Sequence, residues 1–313
     1  MTGIVATLVQ VVAVVAGAPL LLGVMRQVRA RLEGRAGAGI GQPWRDLRKL
    51  FRRQPVTPVG TGWAFRLAPL ILVGSSLVLA AVVPLLTTAS PLDPAADLFA
   101  VVGLLALGTV ALALAALDTG TAFGGMGASR EMTVLALVEP TILLAVFALS
   151  ARVGSTNLGA IVTATLRDPI RVVSPASLLA AVALVIVTIA ETGRLPVDNP
   201  STHLELTMIH EAMILEYAGA DLALVELAAS MRLTVLLGLL ASLFAPWGIA
   251  GAGLLALPLA LLVFAVKLGV LGAALAAAEV FLAKLRLFRV PELLAGSFLL
   301  ALLAVATSFF LAA

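Results

Sequence analysis

Eight long apolar runs decide what this chain can fold into. A helix needs about 20 apolar residues to cross the hydrocarbon core of a bilayer. Runs of that order recur at roughly 3–25, 67–89, 97–117, 132–150, 175–190, 222–245, 252–278 and 292–312. They are continuous rather than alternating, which argues against the strands of a membrane barrel. Hydrophobic residues make up 61% of the 313-residue chain and charged residues 12%, where a soluble domain is nearer half apolar and about a quarter charged. The expected fold class is an all-α polytopic membrane protein, with residues 1–313 forming one integral-membrane domain and no separate soluble unit. The first run has no basic segment before it, so it reads as a transmembrane helix rather than a cleaved signal peptide.

The basic residues give an orientation. Fifteen of the 20 lysines and arginines fall on one side of the predicted spans, ten of them in loop 26–66. Only Arg152, Arg167 and Arg171 fall on the other side, and Arg232 and Lys267 lie within spans. The positive-inside rule then puts loops 26–66, 118–131, 191–221 and 279–291 in the cytoplasm and both termini outside. The expected location is the cell's inner (cytoplasmic) membrane. Loop 26–66 serves equally as a topology signal with lipid contact or as a docking surface. Its Pro43-Trp44 and Gln54-Pro55 punctuation suggests a folded segment.

The polar residues are spent unevenly. Six of the 17 acidic residues, and both histidines, lie in residues 191–221. They are Glu191, Asp198, His203, Glu205, His210, Glu211, Glu216 and Asp221. Such concentration in a membrane chain marks function. Thr202 and Glu205 also match a helix capping box, so Glu205 has a structural reading as well. If helix continues to Tyr217, Glu205 and Glu216 share a face while His210 and Glu211 point elsewhere, which favours a polar cavity with several walls. Glu191 and Arg194 are spaced for an ion pair on a helix. Glu139-Pro140 lies inside the fourth run, where an ionised carboxylate is costly and the proline frees a backbone carbonyl. A carboxylate that trades protons suits that place. Lys267 sits mid-way along the seventh run and calls for a carboxylate partner or a watery cavity. Glu226, Arg232, Asp118 and Glu279 lie nearer span ends, where a solvated or snorkelling role competes with function.

Several chemistries are excluded. The chain has no cysteine, so it holds no disulfide, thiolate zinc site or iron–sulfur cluster. His210-Glu211 begins like a zinc-protease motif, but Ile214 stands where the second histidine is required. The glycine-rich pieces at 37–41 and 124–127 lack a preceding strand and a phosphate-binding lysine. No catalytic triad can be assembled, and no nucleic-acid partner is expected. The residues alone suit a proton or ion path, a site for an amphipathic ligand, or a secondary transporter with broken helices.

The loop also carries a resemblance. Glu191, Thr192, Arg194, Pro196, Asp198, Pro200, Glu205, Glu216, Tyr217 and Gly219 match a motif of the membrane subunit shared by respiratory complex I and the energy-converting nickel–iron hydrogenases. In complex I that protein is the quinone-channel subunit, subunit 1 or H. The likeness extends to Lys49-Leu50-Phe51, to Ser129-Arg130-Glu131, to Glu139 and to residues 284–292 with Arg286 and Arg289. Ser201 and His203 replace carboxylates usual in complex I. Residues 202–212 and 285–291 look like the hydrogenase branch, formate hydrogenlyase subunit 4 and its relatives.

That resemblance implies a membrane anchor and proton-path subunit without a catalytic residue or cofactor of its own. The nickel–iron centre and iron–sulfur clusters would sit on partners: hydrogenase large and small subunits, an iron–sulfur subunit and antiporter-like membrane subunits. Glu139, Glu191, Asp198, His203, Glu205, His210, Glu211, Glu216, Glu226 and Lys267 are the expected path. Arg130, Arg194, Arg286 and Arg289 are expected to dock partners or brace the fold. The alternatives are the quinone-channel subunit of a complex I-like dehydrogenase, with a quinone in the cavity, and a stand-alone transporter.

Overall fold

A computed structural model describes residues 2–198, 208–251 and 254–312. Eleven α-helices are present among them: α1 (Thr2–Leu32), α2 (Gln42–Phe51), α3 (Trp63–Val82), α4 (Leu98–Asp118), α5 (Ala122–Ser150), α6 (Leu158–Arg167), α7 (Pro175–Glu191), α8 (His210–Ile214), α9 (Gly219–Phe244), α10 (Leu257–Phe281) and α11 (Val290–Ala312). Seven helical segments are long and apolar enough to cross a membrane, and α7 is a shorter apolar helix. The protein is an all-α polytopic membrane protein.

Two helices outrun their apolar stretches. α1 continues to Leu32, carrying Arg26, Arg29 and Arg31 on a rigid rod. α5 begins at Ala122, because Thr121 caps it by accepting the Gly124 amide. Ser129, Arg130 and Glu131 are therefore helical, where the apolar pattern predicts a loop to residue 131. Loop 26–66 contains the amphipathic α2, whose Pro43 and Leu47 are buried while Arg45, Arg48 and Lys49 are exposed.

α9 is the centre of the bundle. Of its most apolar eighteen residues 78% are buried, against 33% for α10 and 28% for the last helix. It packs on α1, α2, α3, α7 and α10, while α5 packs on α4, α7 and α11. Between membrane helices the hydrophobic effect offers little, so close packing and satisfied polar groups hold them together. Gln10 of α1 shows how. It is 2% exposed, its Nε2 donates to the Ala80 and Val83 carbonyls at 2.7 and 2.8 Å, and its Oε1 accepts from the Leu85 and Leu86 amides. One side chain thus satisfies four backbone groups freed where α3 ends. The other end of α3 is capped from a distance: Asp118, closing α4, accepts the Gly62 and Phe65 amides at 2.7 and 3.1 Å.

Candidate functional site

A cavity of about 320 Å3 opens between α1, α2, α3, α4 and α9, with the ends of α5, α7, α8 and α10 contributing. Part of its lining is apolar, built by leucines such as Leu72, Leu79, Leu105 and Leu233. The rest is largely charged and collects Glu131, Glu191, Asp198, His210, Glu211 and Glu226. The arginines Arg26, Arg29, Arg194 and Arg232 line it too, with Asp46 and Glu279. Three of these acids and His210 come from the single segment 191–221, and tertiary folding adds the rest.

Glu191 ends α7 with its side chain 2% exposed. Its ion-pair partner is Arg232 of α9, whose guanidinium is 13% exposed. Nη2 of Arg232 also donates to the Leu105 carbonyl at 2.7 Å and the Thr109 hydroxyl at 2.6 Å. The expected Glu191–Arg194 pair does not form. α7 stops at Glu191 and Gly193 turns the chain with φ +58°, so Arg194 leaves the helical frame that the spacing assumed. Arg194 instead meets Glu279 at 3.2 Å, and Arg29 approaches the same carboxylate at 4.0 Å. Arg232 and Glu279 are therefore not snorkelling groups: both are held inside by opposite charge.

Asp198 is a hub. One oxygen meets Lys284 at 3.2 Å, and the other accepts the Ile209 and His210 amides at 3.2 and 3.1 Å. It thereby ties the start of α8 to the segment before α11. Enclosure in the cavity wall pushes His210 below the ordinary histidine value, and the Asp198 carboxylate opposes that shift. Arg130 reaches the Met208 carbonyl at 2.9 Å, bracing the same segment. Tyr217 stacks on Phe65 with ring centroids 4.1 Å apart and donates to the Phe65 carbonyl at 2.8 Å. Burial, then Asp221 and Asp118, keeps its phenol protonated.

Other expected residues lie elsewhere. Glu139 is beyond the cavity lining, on α5, with one oxygen buried and without a hydrogen-bond partner. Glu216 is half-buried outside the lining. Lys267 lies on α10 and donates to the Ala245 and Trp247 carbonyls. Its partners are the unpaired carbonyls beyond the end of α9 rather than a carboxylate or a watery cavity, a favourable place for a cation. Arg286 and Arg289 are exposed beside Phe288, which is 87% exposed. His203 and Glu205, with the capping box and the face shared with Glu216, fall outside the described residues. Glu131 and Glu279 were not among the expected path residues, though both line the cavity. The signal for Arg232 was its place within the apolar run 222–245, since a charge inside a span needs a partner. Among the described residues no group of three or more histidine, aspartate or glutamate side chains is spaced for a metal ion.

Known proteins resemble this chain along most of its length. The family described as NADH dehydrogenase matches residues 4–310. Formate hydrogenlyase subunit 4 of Escherichia coli strain K12 is 37% identical over 301 residues, covering 95% of this chain and 96% of that one. Hydrogenase-4 component C of the same organism is 40% identical over 234 residues, 74% of this chain and 71% of that one. NADH-quinone oxidoreductase subunit 8 of Rhodothermus marinus is 26% identical over 211 residues, 66% of this chain and 61% of that one. Among solved structures, a chain of the membrane-bound sulfane sulfur reductase, an archaeal respiratory membrane complex, superposes with a TM-score of 0.85. It shares 21% identity, and the match covers 98% of this chain and all of that one, a likeness of fold.

Proposed function

From the premise that this chain belongs to the NADH dehydrogenase family, we propose that it is the membrane anchor and proton-path subunit of a membrane-bound nickel–iron hydrogenase complex of the formate hydrogenlyase kind. Its nearly full-length likeness to formate hydrogenlyase subunit 4 supports the hydrogenase branch. The observation that carries the path is the ion pair of Glu191 and Arg232 on the wall of a cavity shared with six other acids. The chain has no cysteine. The nickel–iron centre and iron–sulfur clusters belong to partners: large and small hydrogenase subunits, an iron–sulfur subunit and antiporter-like membrane subunits. The protein sits in the inner membrane with both termini outside. Loops 26–66, 191–221 and 279–291 face the cytoplasm.

In this reading His210, Glu211, Asp198 and Glu226 bring protons to the cavity. Glu191 passes them toward Glu139, which lies beyond the lining. A charge change at the partner's nearest redox centre biases which of these acids is ionised, and that bias couples the two events. The leucines lining the cavity also favour a second reading, a quinone channel, because they offer apolar contact beside polar groups.

Purification of the native complex through a tag on this chain, with nickel analysis and a hydrogen assay, tests the assignment. Nickel and hydrogen turnover support the hydrogenase reading. Quinone-dependent dehydrogenase activity without nickel replaces it with the quinone channel. Within a nickel-containing complex, Glu191→Gln is expected to leave assembly intact and to lower coupled turnover and vesicle acidification on the order of a hundredfold, the scale of a positioned proton-transfer group. Unchanged acidification would remove Glu191 from the path.

A further inference from the structure

A single guanidinium is paired with one carboxylate and lies within the electrostatic influence of two more. Arg232 enters from α9, Glu191 from the end of α7, and Glu131 and Glu139 from α5. Glu191 is the carboxylate paired with Arg232, and Glu131 and Glu139 both lie within electrostatic reach of its charge. The second oxygen of Glu191, one oxygen of Glu139 and Nε of Arg232 are all buried with no hydrogen-bond partner. Buried polar atoms are nearly always satisfied, so three open valences around one ion pair call for an explanation.

The cavity's other cations are committed elsewhere. Arg29 meets Glu33 at 3.0 Å, Arg194 meets Glu279 at 3.2 Å and Arg26 meets Asp46 at 3.5 Å. Arg232 is thus the cation that answers these three acids among the described residues. Arginine keeps its charge in any protein setting. In a low-dielectric interior one ionised carboxylate balances it, and a second would be an uncompensated buried charge. Glu131 lines the cavity, while Glu139, eight residues on, lies about 12 Å further along α5. The three acids thus extend from the cavity along α5.

We propose that Arg232 is a positioning residue that holds one negative charge among Glu191, Glu131 and Glu139, and lets that charge pass between them as a proton moves the other way. In each transfer an O–H bond of a protonated acid breaks and an O–H bond forms on the carboxylate beside Arg232, directly or through cavity water. One proton moves, one carboxylate is exchanged for another, and no electron is transferred. The open valences are where the outgoing and incoming partners bind. This inference rests on the reading of the cavity as a proton path.

The test uses the intact complex in lipid vesicles, with infrared spectroscopy of the protonated-carboxyl band beside acidification. Arg232→Met is expected to gain one protonated carboxyl, because Glu191 loses its counter-charge. Glu191→Gln combined with Arg232→Met removes that new band, and Glu139→Gln combined with Arg232→Met keeps it. Acidification by the Arg232→Met complex falls on the order of a hundredfold, while hydrogen turnover with a soluble dye persists. Arg232→Lys keeps the charge, shows no new band and restores most of the acidification, which a merely structural side chain would not require. If wild-type vesicles acidify and Arg232→Met acidifies equally with no new band, the assignment of Arg232 is overturned while the path stands. If wild-type vesicles never acidify, the path reading falls and the transfer step with it.

Discussion

His210 shows how a single side chain can make the acidic segment respond to pH. Its folded value lies below the ordinary 6.5, with burial as the main cause. As pH falls, the unfolded segment therefore takes a proton before the folded one does. The docking of α8 is fully stable above about pH 6.5 and weakens as pH falls from there toward the lowered folded value. The protection of amides 208–217 against hydrogen exchange, relative to the intrinsic rate at each pH, should accordingly fall between about pH 7.5 and about pH 5, and His210→Gln should flatten that difference. An identical slope in the variant would show that another group controls the segment. Glu191 and Arg194 teach a related lesson. Spacing on a helix predicts a pair only where the helix continues, and here it ends at the first of the two residues.

At the scale of elements, the informative contacts join segments far apart in sequence. Gly219 opens α9 with φ +60°, a conformation that favours glycine. A Cβ there would stand 2.5 Å from the Gln54 carbonyl oxygen. The start of α9 thereby clamps onto the chain leaving α2, and α2 in turn forms part of the cavity wall. Gly219→Ala should cost about 1–2 kcal/mol in left-handed strain alone, and more for the displaced backbone. Reduced thermal stability of the purified complex, with faster proteolysis between residues 52 and 62, is the expected readout. Wild-type stability in that variant would mean that the two segments are not rigidly joined. The apolar runs made α1, α4 and α9 legible as helices, since nothing else satisfies a backbone in lipid. α2 was hidden because its stability comes from packing on neighbours rather than from its own composition, while α8 falls within the helix that the sequence allowed to run on to Tyr217.

For the whole molecule, the uneven basic residues predict one orientation in the membrane. The absence of cysteine makes it simple to test. Single cysteines placed at Ala36 and at Ser90 should label oppositely with a membrane-impermeant reagent added outside intact cells. Ser90 is expected to react, and Ala36 only after permeabilisation. The reverse pattern would invert the protein and place its cavity on the other face. The bundle also explains why so many charges tolerate an apolar setting. Arg232, Arg194 and Lys284 each meet a carboxylate supplied by another part of the chain, and removal of one partner would strand the other.

The class of fold, the helix-forming runs and the acidic segment 191–221 were determined by local sequence, because lipid solvation and helix length act on consecutive residues. The motif in that segment also carried the family. What consecutive residues could not determine was who meets whom. Glu191 lies 41 positions from Arg232, Arg194 lies 85 from Glu279, and Lys284 lies 86 from Asp198. Coulomb pairing and cavity shape depend on distances across the bundle, and only the packing of α5, α7, α9 and α10 brought those charges within reach of one another.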